Sequence, residues 1–188
     1  PELLEHPANL LIHDYPHPVL RKVAKPIPAV TDEVRAVARR MIEMMYDEEG
    51  IGLAGPQVGL SWRIFVAHVP EKEGRKAGPK PPELPTATTG PLVYINPVLS
   101  APANELEPYE EGCLSLPEIR GDVIRPVSIT ISALDIEGQP FTQTGTGLLA
   151  RCWQHEYDHL DGVLIIDKFT QMSRLKTRAK VRELERDG

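Results

Sequence analysis

GLLARCWQHEYDHLDG, residues 147–162, decides the fold, because helical periodicity and metal-ligand chemistry coincide in it. Leu148, Cys152, His155 and His159 recur at helical spacing along one stripe, and Gly162 supplies the stop. On such a helix His155 and His159 stand about 40° apart in azimuth and about 6 Å apart along the axis. Both imidazoles then reach one ion. Glu156 projects about 100° from His155, beside the ion, where it can exchange a proton with coordinated water. A lone histidine here would read as a satisfied core residue; the five-residue pattern on a helix favours a metal site.

A catalytic site of this kind takes three protein ligands and leaves one position to solvent. Cys152 is the nearest candidate, but it lies seven residues before His159, about 10.5 Å along the axis, too far to share an ion with both histidines. It reads as a small wall residue. The metalloprotease pattern that continues with a third histidine matches through Gly162 and then fails, since position 165 is Ile165. What remains is a donor from elsewhere, and Cys113 in EEGCLSLP is the only other cysteine in the chain. Taken alone, Cys113 would read as a buried small hydrophobe.

Working outward, Thr31 is an N-cap, and Asp32 and Glu33 favour the positive end of the helix that follows. Val34, Val37, Ala38, Met41, Met44 and Met45 give that helix one apolar face. Gly50 and Gly52 end it and open GIGLAGPQVGL, which is poor helix material. WRIFVAHV (62–69) and LVYINPVL (92–99) read as strands. Between them, from Pro70 to Pro91, proline and lysine predict a mobile surface loop. Val127, Ile129, Ile131 and Ala133 alternate with Ser128, Thr130 and Ser132 as in a half-buried antiparallel strand, and Phe141 to Thr144 returns beside it after a turn at Gly138. VLIIDKF (163–169) predicts a last short strand, and Ser173 a cap for a terminal helix containing Leu175, Ala179 and Leu184. The expected fold is α+β, with antiparallel sheets packed around a central metal-binding helix and with N-terminal and C-terminal helices. We expect one domain over residues 1–188.

The 188 residues are 41% hydrophobic and 26% charged, ordinary for a soluble domain, and no apolar run approaches the roughly 20 residues of a membrane span. A net charge of -6 opposes general adhesion to DNA. Two cysteines are too few for a disulfide framework, which favours a reducing compartment. No secretory signal is visible. The expected location is cytoplasmic, or organellar if a transit peptide has been removed.

GIGLAGPQ, EGCLSLP and QHEYDHLDG, in this order and spacing, resemble the three motifs of the peptide deformylase family, spanning about Gly50 to Gly162. The resemblance implies an α+β metalloenzyme that removes the N-formyl group from nascent peptides beginning with formylmethionine. It implies Cys113, His155 and His159 as ligands of one divalent ion, Fe²⁺ in the cell, with Zn²⁺, Ni²⁺ and Co²⁺ compatible with the same donors. It further implies that Gln57 and the Leu114 N–H donate to the developing oxyanion, with Glu156 as general acid and base. Ile51, Gly52 and Gly112 would line the peptide, and Leu148 and Cys152 the pocket for the methionine side chain.

Two features depart from the family: Gly55 stands where an alanine is usual, predicting a looser turn before Pro56, and the 70–91 excursion is longer than in many relatives. Glu111, Arg120 and Asp158 read either as supports of the site or as structural ion pairs. Arg174, Lys176, Arg178, Lys180, Arg182 and Arg186 make the C-terminal segment basic. In related bacterial enzymes a basic C-terminal helix docks on the ribosome, whereas Glu183, Glu185 and Asp187 favour a merely solvated face. The rival readings are a metallopeptidase, a deacylase for another small acyl group, and a closed structural metal site with a fourth protein ligand.

Overall fold

The structure is a computed structural model that describes residues 6–71 and 84–188. Of the 70–91 excursion, residues 72–83 lie outside the described residues. Its later part is tied down: the Thr88 N–H donates to the Val69 carbonyl at 2.9 Å, and the Pro85 carbonyl accepts from Thr146 at 3.0 Å.

Helix α1 (Asp32–Asp47) begins where expected, with Thr31 Oγ1 accepting from the Val34 N–H at 3.3 Å. All six apolar residues of its predicted face are buried. They pack on a five-stranded antiparallel sheet of β1 (Gly52–Ala54), β2 (Ile64–Ala67), β3 (Leu92–Ser100), β6 (Ser128–Leu134) and β7 (Pro140–Thr146), in the order β1-β2-β3-β6-β7. Strand β2 lies within this sheet and is buried throughout, which accounts for its unbroken apolar run. Ile64 and Val66 face the α1 layer, while Phe65 and Ala67 face helix α2 (Gly147–Leu160) on the other side. In β3, Pro97 can donate no ladder bond, and the register shifts between Ile95 and Val98. The Asn96 side chain, at φ 50°, clasps both backbone groups of Ile27 instead.

Strands β4 (Leu106–Cys113) and β5 (Leu116–Pro126) form a separate antiparallel hairpin that sequence reasoning did not assign. Along β5, Ile119, Gly121, Val123 and Arg125 point inward, while Ile124 is 53% exposed. A buried arginine next to an exposed isoleucine inverts the hydropathy signal on which alternation depends.

VLIIDKF is not a strand. Ile165–Lys168 forms a short helix α3, and only Phe169 makes an isolated bridge, to Val123. A strand there would put Asp167 on the same face as Ile165 and Phe169. Asp167 is instead exposed, where it accepts from the Leu164 N–H and pairs with Arg21. The terminal helix α4 (Gln171–Asp187) is capped by Thr170, not Ser173. Ser173 lies buried in the first turn, its hydroxyl accepting from the Asp122 N–H at 2.9 Å. Its position turns Ser173, Thr177, Val181 and Leu184 toward β5 and leaves Leu175 62% exposed.

Gly55 does not loosen its turn. A Cβ there would lie 2.8 Å from the Trp62 carbonyl oxygen and 3.1 Å from that of Leu60, so two backbone segments approach more closely than alanine allows. Gly55→Ala is expected to destabilise this protein by about 1–3 kcal/mol, the usual cost of overpacking a filled interior. Urea melts check this, and an unchanged midpoint would show that the backbone relaxes freely.

Candidate metal centre and cleft

Three segments converge on one point. Helix α2 carries His155 and His159 one turn apart, the β4–β5 hairpin brings Cys113 at its tip, and β1 with the following turn brings Gly52 and Gln57. A register shift at Gly112/Cys113 breaks the ladder there, so the cysteine is re-aimed out of the hairpin plane.

The donor atoms of Cys113, His155 and His159 all lie within 4.8 Å of one another. Cys113 Sγ and His159 Nε2 are 3.3 Å apart. Ligand bonds of about 2.3 Å to sulfur and about 2.0 Å to nitrogen at a tetrahedral angle give an S···N edge of about 3.5 Å, so the three side chains suit a small divalent ion. Cys152 is not in this group, as its axial distance requires. Its buried thiol is pushed up in pKa, chiefly by burial, and its sulfur lies 3.7 Å from the Ile51 carbonyl in the cleft wall.

The second nitrogen of His155 fixes the first. Nδ1 lies 2.9 Å from Glu111 Oε1, a carboxylate oxygen, so Nδ1 carries a hydrogen and Nε2 is the nitrogen left to face an ion. Burial works against charge on Glu111, yet hydrogen bonds from His155 and Arg125 outweigh it and hold the carboxyl well below the usual range. Arg125 grips Glu111 through Nε at 2.7 Å and Nη2 at 3.0 Å, and reaches Asp158 through Nη1 at 2.8 Å. Arg151 also holds Glu111, at 2.6 Å. Of the residues whose roles were open, Glu111 bonds His155 itself, while Asp158 is ion-paired with Arg125 and Lys168. Arg120 pairs on the surface with Glu110, its guanidinium lying where a Cβ of Gly112 would stand. Arg125 and Arg151 were missed, since nothing local marks a buried arginine whose carboxylate lies 14 or 40 residues away.

Glu156 is 4% exposed. Its Oε1 stands 3.7 Å from His155 Nε2, and its buried Oε2 has no hydrogen-bond partner among the described residues. Burial is the main force lifting its pKa, to about 7, against the attraction of His155. Gly52 makes room for it: a Cβ there would meet the Glu156 carboxyl at 2.9 Å. Gln57 is held by its own turn, its Oε1 accepting from the Ala54 N–H at 2.9 Å. Its Nε2 therefore points at Ser115 Oγ, 3.2 Å away, and Cys113 Sγ, 3.5 Å away.

A cleft of about 530 Å³ opens over this point. Ile51, Gly52, Gln57, Gly112, Cys113, Leu114, Leu148, Cys152, His155 and Glu156 line it; His159 closes the group from below, 1% exposed. Its lining includes the apolar Leu148, Cys152 and Ile51 and the charged Glu48, Glu49 and Arg120. Donors, a buried carboxylate and an apolar slot thus face one space large enough for a short peptide.

Residues 10–175 match the family model described as polypeptide deformylase. A peptide deformylase of Acinetobacter baumannii (strain SDF) is 41% identical over 95% of this chain and 93% of its own length. Among solved structures, a plant peptide deformylase superposes with a TM-score of 0.85 at 35% identity, covering 99% of this chain and 94% of that one. A Plasmodium falciparum peptide deformylase in complex with an inhibitor superposes with a TM-score of 0.79 at 36% identity, covering 94% and 99%.

Proposed function

This chain belongs to the polypeptide deformylase family, hydrolases that remove the N-formyl group from nascent peptides, and from that premise we propose how its own residues carry the reaction. The observation that carries the proposal is the meeting of Cys113, His155 and His159 beside a buried carboxylate with one unpartnered oxygen. These three side chains hold a divalent ion, Fe²⁺ in the cell by family likeness, with Zn²⁺, Ni²⁺ or Co²⁺ suiting the same donors. When bound, such an ion supplies Lewis acidity and makes water a nucleophile near neutral pH.

The chain does the rest. Glu156 takes the proton of the attacking water at Oε2, the oxygen that has no other partner. Gln57 Nε2 and the Leu114 N–H donate to the oxygen of the former formyl group as its charge develops. One such fixed donor is worth about 2.7–4 kcal/mol. The proton on Glu156 then passes to the peptide nitrogen as the C–N bond breaks, releasing formate and a free amine. Ile51, Gly52 and Gly112 lie along the peptide backbone, while Leu148 and Cys152 receive the methionine side chain.

Formate release from a formylmethionyl peptide, with and without chelator, tests this reading. Release that stops on chelation, with the fold intact by circular dichroism, is the expected result. Unfolding on chelation would instead mark a structural ion. Equal turnover of acetylated or unblocked peptides would move the assignment to another deacylase or a peptidase.

For partners, no helix among the described residues is long and apolar enough to cross a membrane. Arg174, Arg178 and Arg182 follow one another at four-residue spacing along α4, and Arg178 and Arg182 have no ion pair among the described residues. Unpaired like charges at that spacing weaken a helix unless an anion meets them. This supports α4 as the contact to ribosomal RNA phosphates in the cytoplasm. Salt-sensitive cosedimentation with ribosomes is the expected outcome, and binding indifferent to salt would count against it.

A further inference from the structure

We propose that Arg151 is a positioning residue that sets the hairpin-borne Cys113 against the two helix-borne histidines. The inference rests on the deformylase reading only for where the ion sits. Cys113 belongs to the β4–β5 hairpin and both histidines to α2, so the shape of the three-donor group depends on how hairpin and helix are fastened together. The two sheets share no ladder among the described strands; the Gly147 N–H donates to the Val127 carbonyl at 3.2 Å, where the helix begins and just past the end of β5, and nearer the donors side chains make the fastening.

Arg151 stands on α2 one turn before His155 and is 8% exposed. Its Nη1 donates to Glu111 Oε2 at 2.6 Å and to the Val123 carbonyl at 2.9 Å. Its Nη2 donates to the Glu107 carbonyl at 2.7 Å, and the guanidinium lies 5.4 Å from the centroid of the Tyr109 ring. One side chain of the helix thus grips β4 at alternate residues and β5 opposite them. Arg125 also holds Glu111, but both belong to the hairpin, so that fork orients the carboxylate within its own sheet. Its third nitrogen reaches Asp158, a strap one turn beyond His155, and Gln154 Nε2 donates to the Pro126 carbonyl of β5 at 3.1 Å. Arg151 is the strap whose carboxylate partner also reaches His155: Oε2 takes Arg151, and Oε1 takes His155 Nδ1.

A guanidinium suits this work because its planar fork serves three separate acceptors at once. An ammonium at the end of Arg151→Lys keeps three donors but on one nitrogen, so it does not span acceptors that Arg151 meets from Nη1 and Nη2, and the thioether of Arg151→Met donates to none. Losing a partner behind a metal ligand commonly weakens metal retention about 10–100-fold. Release of Co²⁺ to a chelator is therefore expected to accelerate by about that factor in Arg151→Met, with Arg151→Lys between it and the unmodified protein. The Co²⁺–thiolate charge-transfer band is expected to shift in the same order, because Cys113 Sγ moves relative to the histidines.

Both readouts are taken well below the melting temperature, where a side chain that only stabilises the fold changes neither. If Arg151→Met does not fold, Arg151→Lys carries the test. Folded variants with a lowered melting temperature but unaltered Co²⁺ release and an unaltered band would overturn the proposal. Formate release by the unmodified protein is measured separately, so its failure would sink the deformylase reading without being mistaken for this one.

Discussion

Glu156→Gln is expected to bind metal as the unmodified protein does and to lose about 10²–10⁴ in turnover, the range assigned to one positioned general acid and base. The substitution keeps the side chain's size in a tight place, since Gly52 leaves room for this carboxyl and for little else. Glutamine cannot take a proton from water or return one to the leaving nitrogen. The fold does not depend on the charge: among the described residues Oε2 is buried without a partner, and burial is the main force driving the group toward its neutral form. A melting temperature no lower than that of the unmodified protein is therefore part of the expected result. It separates lost chemistry from lost structure. Turnover within a few fold of normal, in protein shown to carry one ion per chain, would remove Glu156 from the mechanism.

The parts of this architecture that were legible in the sequence are those where one physical rule acts alone. Helix α1 has a cap, an acidic first turn and an apolar stripe, and nothing competes with them. Strand β6 has one wet face and one buried face, so its alternation is clean. Helix α2 was legible for a second reason, since the spacing of His155 and His159 makes chemical sense only at helical pitch.

Reading failed where tertiary contacts reversed a local signal. Arg125 takes a core position because Glu111 and Asp158 surround it, and Ile124 is left outside as a result. Asp167 turns a β-branched run into a helical turn by accepting from Leu164 and pairing with Arg21. Thr170 displaced Ser173 as the cap because Asp122 claims the serine hydroxyl from another element. The site divides the same way. Its metal-binding candidates follow from residue types and spacing together with the three-motif resemblance, whereas the arginines behind His155 are meaningful only once β4, β5 and α2 are placed side by side.

Cys113→Ser is expected to lower retained metal further than any change at Arg151, and so to abolish turnover at ordinary ion concentrations. A thiolate is replaced by a hydroxyl that stays protonated near neutral pH, so a charged, polarisable donor becomes a weak neutral one. The other two donors cannot compensate, because both ride on α2 and approach from one side, while Cys113 closes the group from the hairpin. Cys152, the only other thiol, stays in the cleft wall at the Ile51 carbonyl and is not a member of the ligand group. Serine is small enough to leave the hairpin tip in place, and Gln57 can donate to its oxygen as it does to the sulfur. The variant is thus expected to fold, with less than one ion per chain after dialysis, measured by atomic emission. Loss well beyond the 10–100-fold typical of an outer partner marks a direct ligand. Full metal content would mean that the ion rests on the histidine pair and on a donor other than Cys113, and would return the cysteine to the role of a small hydrophobe.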